Sequence, residues 1–253
     1  MCLLVLAWQQ HRDYPLIVAG NRDEFHDRPT QGAHWWPDHP DILGGRDLLA
    51  AGTWLALHRR GRFATVTNFR DAVKPSARFR SRGRLVTDFL LGNESPMEYI
   101  DKIDGSAYAG CNLLLSDGQS LAWYSNRGDE AKLLGPGLYG LSNALLDAPW
   151  HKVRRSKTAM QQLVASGTIN ESTLFRLLHD RGMAPVDEVE SDHLPFAKAR
   201  AISAPFIVLP DYGTRSSSVV MLDRNGNWAL SERRFSPDGE RSGDAAFRFR
   251  AQA

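Results

Sequence analysis

The most reactive side chain of the sequence lies at its second position. Cys2 directly follows Met1 and is one of only two cysteines in 253 residues. If an aminopeptidase removes Met1, Cys2 carries both a thiol and a free α-amine, whose ordinary pKa of about 7.7–8.0 lets it accept the thiol proton. Free cysteine is also among the most buried residue types, so Cys2 can equally be a packing residue of an apolar strand. Both interpretations stay open at this point.

A dense polar cluster follows the second apolar segment and consists of Asn21, Arg22, Asp23 and Glu24. Such groups are costly at the end of a buried strand unless they pair with one another or with a ligand. If the first two apolar segments form a hairpin, the cluster lies beside Cys2. Arg22 would then favour the thiolate, and Asp23 would orient the α-amine. A surface turn with an Asp–Arg pair is the alternative.

Two asparagines and one arginine interrupt apolar segments further along the chain. Asn68 and Asn143 each end a predicted strand, and their side-chain N–H groups are suitable donors for an oxyanion. Asparagines at strand ends also commonly satisfy turns. Arg215 precedes another predicted strand and is a further candidate for tuning the nucleophile.

Residues 25–49 are rich in proline and glycine, which predicts a long irregular loop that borders a site. The spacing of its histidines matches no compact zinc pattern, so no metal site is predicted. An aromatic and histidine-bearing loop can cover a haem, and the candidate contacts are His34, Trp35, Trp36 and His39. Anchoring of the loop on the core by its two tryptophans is the alternative.

Composition restricts the partners and the compartment. The formal net charge is only +2, which predicts no nucleic-acid partner. Two cysteines are too few for a disulfide framework and favour a reducing compartment. No stretch reaches the roughly 20 apolar residues of a membrane span, and the apolar start is too short for a secretion signal. We therefore expect a cytoplasmic protein.

The predicted elements come in the order strands, helices, strands, helices, strands. Ser95, Pro96 and Glu98 form a capping box at the start of one helix. The order excludes a doubly wound parallel sheet, in which strands and helices alternate. It predicts an α+β fold with two packed antiparallel sheets and helical outer layers, as a single domain over 1–253 whose residues 238–253 fray.

Short motifs then point to a family, and they occur in the order Asn21-Arg-Asp-Glu24, Gly52-Thr-Trp-Leu55, Thr67-Asn-Phe-Arg-Asp71, Ser81-Arg-Gly83, Tyr124-Ser-Asn-Arg-Gly128, Gly140-Leu-Ser-Asn143 with Pro149-Trp150, and Tyr212-Gly-Thr-Arg-Ser-Ser217. Together they resemble the NRDE family, relatives of transport and Golgi organisation protein 2. The resemblance implies a four-layer αββα sandwich of the N-terminal-nucleophile hydrolase type. It also implies a role in haem trafficking or in lipid and acyl-CoA metabolism, with no agreed reaction.

A more distant similarity links Cys2, the Asn-Arg-Asp run, Asn143 and Arg215 to choloylglycine hydrolases and penicillin V acylases, which cleave amides with an N-terminal cysteine. Those enzymes carry arginine before asparagine, whereas this chain has Asn21 before Arg22.

Two hypotheses about function follow from these residues and resemblances. The first is a cysteine amidohydrolase that cleaves an amide or thioester bond through Cys2 and requires no cofactor. The second is a binding protein for haem or for lipid and acyl-CoA, without hydrolase activity.

Overall fold

The fold was analysed in a computed structural model, which describes residues 2–71, 79–128, 130–191 and 194–252. Its strands are β1 Cys2–Trp8, β2 Leu16–Phe25, β3 Thr30–Trp35, β4 Ile42–Asp47, β5 Leu55–His58, β6 Arg62–Asn68, β7 Cys111–Ser116, β8 Leu121–Ser125, β9 Lys132–Leu133, β10 Gly137–Leu141, β11 Tyr212–Leu222, β12 Asn227–Phe235 and β13 Arg241–Arg250. Its α-helices are α1 Gly83–Leu91, α2 Pro96–Ile100, α3 His151–Ser166, α4 Glu171–Leu178 and α5 Phe196–Ala201.

The strands form two antiparallel sheets. The first sheet has the order β10-β1-β2-β11-β12-β13, and the second has the order β3-β4-β5-β6-β7-β8-β9. β1 and β2 form the predicted hairpin, and the central strands of the first sheet are β1, β2 and β11. The start of β1 therefore lies within the sheet, flanked by β2 and β10.

The largest apolar core lies between the two sheets. Side chains alternate along a strand, so Leu4, Leu6 and Trp8 of β1 point into this core. Their neighbours Val5 and Ala7 point to the opposite face of the sheet, where they are also buried. Because both faces of β1 are covered, its sequence is almost continuously apolar.

Helices cover the outer face of each sheet. Leu85, Val86 and Phe89 of α1 pack on the second sheet, where Tyr99 of α2 forms an edge-to-face contact with Phe89. On the first sheet, α3 and α4 contribute a second set of buried apolar residues, which includes Met160. The result is the predicted α+β sandwich with the layer order αββα. Among the helices of the described ranges, none combines the length and apolar character that a membrane crossing requires.

Two segments differ from the sequence-based expectation. The predicted loop over 25–49 contains β3 and β4, which pair with each other along one edge of the second sheet. The predicted frayed tail over 238–253 contains β13, whose Phe247 and Phe249 pack against the core between the sheets. Tertiary packing of one face of each strand explains both differences.

Candidate active site

Cys2 lies at the border of a cavity at one end of the sandwich. Its Cα is in register with that of Arg22, so the predicted proximity of Cys2 to the polar cluster is confirmed. The half-buried thiol borders a cavity of about 480 Å³. The backbone carbonyl of Cys2 accepts a hydrogen bond from Ser142 Oγ at 2.7 Å, which fixes the start of β1 against the end of β10. Met1 lies outside the described residues.

Many charged residues line the cavity, together with apolar ones. Its walls come from the ends of β1, β2 and β6 and from the segments 47–54 and 79–83. The charged residues that line it are Arg22, Asp23, Glu24, Arg28, Asp47, Arg80 and Arg82. Arg28 and Asp47 neutralise each other through hydrogen bonds of 2.7 and 3.1 Å. Among these lining residues, arginines outnumber carboxylates, so the wall favours an anionic or strongly dipolar ligand.

The thiol is not activated by its surroundings alone. Burial raises the pKa of Cys2, and the Asp23 carboxylate raises it further. The backbone of Asp23 and the cation of Arg22 lower that pKa, but they do not overcome the burial. A nucleophilic Cys2 therefore needs a base to accept its proton.

Arg22 is a buried cation beside the thiol. Its guanidinium lies over the ring of Trp54, 4.3 Å from the centroid, and 3.9 Å from the Glu24 carboxylate. Burial lowers its pKa, whereas Glu24 and Cys2 raise it. Nη1 makes no hydrogen bond to any part of the chain that the structure describes. Arg22 also borders the cavity, so a buried and unpaired polar atom belongs to a residue of the cavity wall.

Asp23 is buried and held by two residues of β11. Its Oδ1 accepts a hydrogen bond from Thr214 Oγ1 at 2.7 Å, and its backbone carbonyl accepts one from the Tyr212 hydroxyl at 3.0 Å. Burial raises the pKa of the carboxyl, and the nearby Lys152 lowers it. The carboxyl therefore has a fixed position next to Cys2.

The side chain of Asn21 is occupied by structural contacts. Its Nδ2 donates to the carbonyls of Leu178 and Pro205, both at 2.8 Å. Its Oδ1 accepts from Ser217 Oγ at 2.6 Å. The amide thus joins β2 to the end of α4, to the segment before β11 and to β11 itself.

The two candidate oxyanion donors lie next to each other, but only one borders the cavity. Asn143 is fully buried, and its Nδ2 donates to the backbone carbonyl of Asn68 at 2.7 Å. The side chain of Asn68 is half-buried and lines the cavity near Cys2. Asn68 is therefore better placed to donate to a substrate oxygen, and Asn143 is placed to hold the end of β6.

The remaining predicted site residues lie outside the cavity. Arg215 Nη1 donates to the carbonyls of Phe25, His26 and Arg28, so it holds the chain that leaves β2. The predicted haem contacts lie on β3 and the turn after it, and none lines the cavity at Cys2. Those four residues are His34, Trp35, Trp36 and His39.

Individual contacts of the predicted haem segment agree with the anchor interpretation. Trp36 is fully buried, and its Nε1 donates to Gly44 O at 3.0 Å. Trp35 stacks edge-to-face on Phe249 of β13. These contacts pack the segment onto the sandwich. Over the described ranges, no group of three or more His, Cys, Asp and Glu side chains is arranged to hold a metal ion.

Sequence reasoning missed two residues close to Cys2. Lys152 is the second residue of α3 and is almost completely buried, although its sequence neighbours His151 and Arg154 suggest a surface helix. Trp54 supplies the aromatic face under Arg22. The available signal was a lysine two positions after the Pro149-Trp150 motif, on the same helical face as Ser156 and Met160, which are also buried.

The architecture agrees with that of known N-terminal-nucleophile hydrolases. The structure of the C2A mutant of the conjugated bile acid hydrolase from Clostridium perfringens superposes with a TM-score of 0.53, covering 99% of this chain and 98% of that chain at 8% identity. At this identity the similarity concerns the fold. The chain thus has an N-terminal-nucleophile hydrolase-like fold.

Sequence comparison identifies the family. The family model described as Transport and Golgi organisation 2 matches residues 1–237. The Transport and Golgi organization protein 2 homolog of Bos taurus is 34% identical over 239 residues, which is 87% of this chain and 86% of the relative. The human homolog is 33% identical over 241 residues, again 87% of this chain and 86% of the relative. The chain belongs to the Transport and Golgi organisation 2 family.

Proposed function

We propose that this protein is a cysteine hydrolase that cleaves an amide or thioester bond of a small acyl substrate, with Cys2 as the nucleophile. The observation that carries the proposal is the position of the Cys2 thiol. It lies at the border of a charged cavity, in register with Arg22 and beside the buried Asp23 carboxylate. The N-terminal-nucleophile hydrolase-like fold supports the same function.

The proposed reaction requires removal of Met1, because the base is the α-amine of Cys2. The amine takes the thiol proton, and the thiolate attacks the substrate carbonyl carbon. Asn68 is the proposed side-chain donor to the resulting oxyanion, and Asn143 fixes the carbonyl of Asn68. The C–N or C–S bond then breaks, and the leaving group takes the proton from the α-ammonium. Water, deprotonated by the same amine, hydrolyses the acyl thioester and restores the thiol.

The other predicted residues have supporting roles in this proposal. Asp23 orients the α-amine, and Arg22 stabilises the thiolate and binds a polar group of the substrate. Arg215 and Asn21 hold the end of β2 that carries these two residues. No cofactor takes part in these steps.

A second candidate function is a carrier of an anionic lipid or acyl-CoA that uses the cavity without hydrolysis. The arginines of the wall, Arg22, Arg28, Arg80 and Arg82, favour an anionic group. The haem version of this hypothesis is weaker, because the predicted haem contacts lie away from the cavity at Cys2. We also propose a cytoplasmic location, which the two free cysteines support.

The two functions are separated by a hydrolysis assay on acyl amides and acyl thioesters of increasing chain length. Intact mass must first show that the wild-type protein lacks Met1. We expect Cys2→Ala to reduce hydrolysis by at least about a thousandfold, as is usual for a lost nucleophile. Cys111→Ala is the matched control, because Cys111 is buried in β7 with a pKa raised to about 11.

Equal rates of hydrolysis by wild type and Cys2→Ala would exclude Cys2 as the nucleophile of a hydrolase. Binding of acyl-CoA with the same affinity by both proteins, without turnover, would instead support the carrier. A haem titration followed by absorbance tests the haem version, which fails if micromolar haem gives no Soret shift.

A further inference from the structure

β13 is the longest edge strand of the two sheets in the described part of the chain. The other edge strands are short or irregular: β9 has two residues, β10 has five, and β3 has six with a register shift. β13 has ten residues, contains no proline and pairs regularly with β12 from Gly243 to Arg250. Short strands, bulges and prolines usually protect an edge against pairing with another chain, and this segment of β13 lacks all three.

Alternate residues of β13 point their main-chain groups away from β12. Directly after the strand, Ala251 donates its N–H to Gly226 O at 3.0 Å, which is the direction of β12, whereas Gln252 donates to Arg59 O at 2.9 Å. The direction alternates along a strand, so the even-numbered residues within 244–250 direct their N–H and C=O groups to the same side as Gln252. No described strand pairs with them on that side.

The charges on the exposed face of this edge are self-complementary. Asp244, Ala246 and Arg248 are all exposed there, and the two charged residues lie two positions on either side of the alanine. If a second copy of the strand pairs antiparallel about a two-fold axis at Ala246, Asp244 of each copy faces Arg248 of the other. Arg250 then faces the uncharged Ser242. The axis therefore creates two ion pairs and opposes no like charges.

The other face of β13 fits the same axis. Phe247 and Phe249 are half-buried on this face. With the axis at Ala246, they lie opposite Ala245 and Gly243 of the second copy, so that each large side chain faces a small one. An axis at Phe247 would instead set two identical rings directly against each other. An axis at Ala245 would leave the aspartate without an arginine opposite it.

Both charged residues also have a partner at the surface of their own chain. Arg248 Nη2 lies 3.1 Å from Glu171 Oε1, and Arg241 Nε donates to Asp244 Oδ1 at 2.6 Å. The Arg248 side chain is 80% exposed. Exposed ion pairs of this kind contribute little, because they are screened by water and salt. Neither contact therefore prevents the side chains from turning toward a second copy.

We propose that the protein forms a two-fold symmetric dimer in which the β13 strands of two copies pair antiparallel about Ala246. The two six-stranded sheets then form one continuous sheet. Main-chain hydrogen bonds hold the strands together, and the pairs of Asp244 with Arg248 set their register. The inference is independent of the proposed function, since no residue of β13 lines the cavity at Cys2.

Sedimentation velocity at low salt, over about 1–100 µM protein, tests the dimer. We expect the wild type to pass from monomer to dimer within this range. Asp244→Arg sets arginine against Arg248, and Arg248→Asp sets aspartate against Asp244, so each variant alone should raise the dissociation constant by at least about tenfold. An equimolar mixture of the two variants should dimerise again, because one strand then carries only arginine at these positions and the other only aspartate.

Arg250→Asp is the matched control. It makes the same charge change on the same face, but Arg250 faces Ser242, so this variant should dimerise like the wild type. Ala246→Pro should abolish the dimer, because it removes an N–H that points away from β12 and is not needed for the fold. Circular dichroism of each variant checks that it is folded.

Three results would overturn the proposal. The first is a wild type that stays monomeric at about 100 µM. The second is dimerisation of both single charge variants with the wild-type dissociation constant, or a mixture of them that stays monomeric. The third is loss of the dimer in Arg250→Asp with retention in Arg248→Asp, which would place the axis at Phe247.

Discussion

Asn21 and Asn68 carry the same amide group close to Cys2, but their surroundings differ. Asn21 is fully surrounded by protein and uses both amide atoms in hydrogen bonds within the fold. Asn68 is half-buried and borders the cavity. The same residue type therefore stabilises the fold at one position and is available to a ligand at the other.

Replacement of Asn21 tests this difference. We expect Asn21→Ala to lower the free energy of unfolding by about 3 kcal/mol, because it leaves Ser217 Oγ and two backbone carbonyls without their partner. Asn68→Ala, the matched control, should cost less than about 1 kcal/mol. Urea unfolding of both variants gives the comparison, and equal losses would contradict the assignment.

His58 provides a test of pH dependence. Its Nδ1 accepts a hydrogen bond from Arg60 N at 3.1 Å, and burial lowers its pKa from 6.5 to about 4. The folded value lies below the unfolded one, so its contribution to stability is fully present above about pH 6.5 and is lost as the pH falls through about 4. The free energy of unfolding of wild type falls as the pH is lowered over this range. We expect this fall to be about 1 kcal/mol smaller in His58→Gln, after allowance for solvent screening.

Urea unfolding of wild type and His58→Gln at several pH values measures this effect. The two stability curves should approach each other as the pH falls. Parallel curves would show that His58 does not stay neutral in the folded protein.

At the scale of elements, one wall of the cavity depends on the close approach of two backbone segments. A Cβ added to Gly83 at the start of α1 would lie 2.9 Å from both the N and the O of Thr53. A Cβ on Gly52 would lie 2.7 Å from the carbonyl carbon of Gly83. These segments, which carry Arg82 and Trp54, can touch only where both residues are glycine.

Gly83→Ala should therefore be destabilising, although alanine is the better helix former. We expect a loss of about 1–3 kcal/mol in the free energy of unfolding, together with weaker ligand binding, because the backbone at Thr53 must move. Gly135→Ala is the control, since its added Cβ would meet nothing within 4 Å. A stable Gly83→Ala with unchanged binding would contradict this description of the wall.

The sequence predicted the elements whose pattern is regular. The β1–β2 hairpin and the capping box at Ser95 are both present, and the hairpin alone brought Arg22 beside Cys2. β3 was missed because a register shift between Gln31 and His34 breaks its alternation. β13 was missed because its outward face is rich in arginine.

The sequence predicted only part of the candidate site, because its pattern does not show which way buried polar side chains point. Both faces of β2 are buried, so its apolar pattern does not show which polar side chains point to the cavity and which to the helices. Lys152 was missed because burial of a lysine depends on how α3 packs, which its own sequence does not specify. The charge of Asp23, which acts on Lys152, belongs to a residue more than 120 positions away in the sequence.

At the scale of the whole molecule, the core between the sheets joins both ends of the chain. Leu4 of β1 and Phe247 of β13 contribute to the same cluster, together with residues of the second sheet. We therefore expect the single domain over 1–253 to unfold in one cooperative step. Calorimetry should give one transition with equal calorimetric and van't Hoff enthalpies, and two separate transitions would show that the sheets belong to independent units.

The proposed catalysis requires a covalent bond between the sulfur of Cys2 and the acyl carbon of a substrate. Its most direct test is acid quenching of the protein during turnover of a p-nitrophenyl acyl ester, followed by intact mass and peptide mapping. We predict one acyl group on Cys2 in chains that lack Met1, and none in Cys2→Ala. An acyl group on another residue, or acylation only of chains that retain Met1, would contradict it.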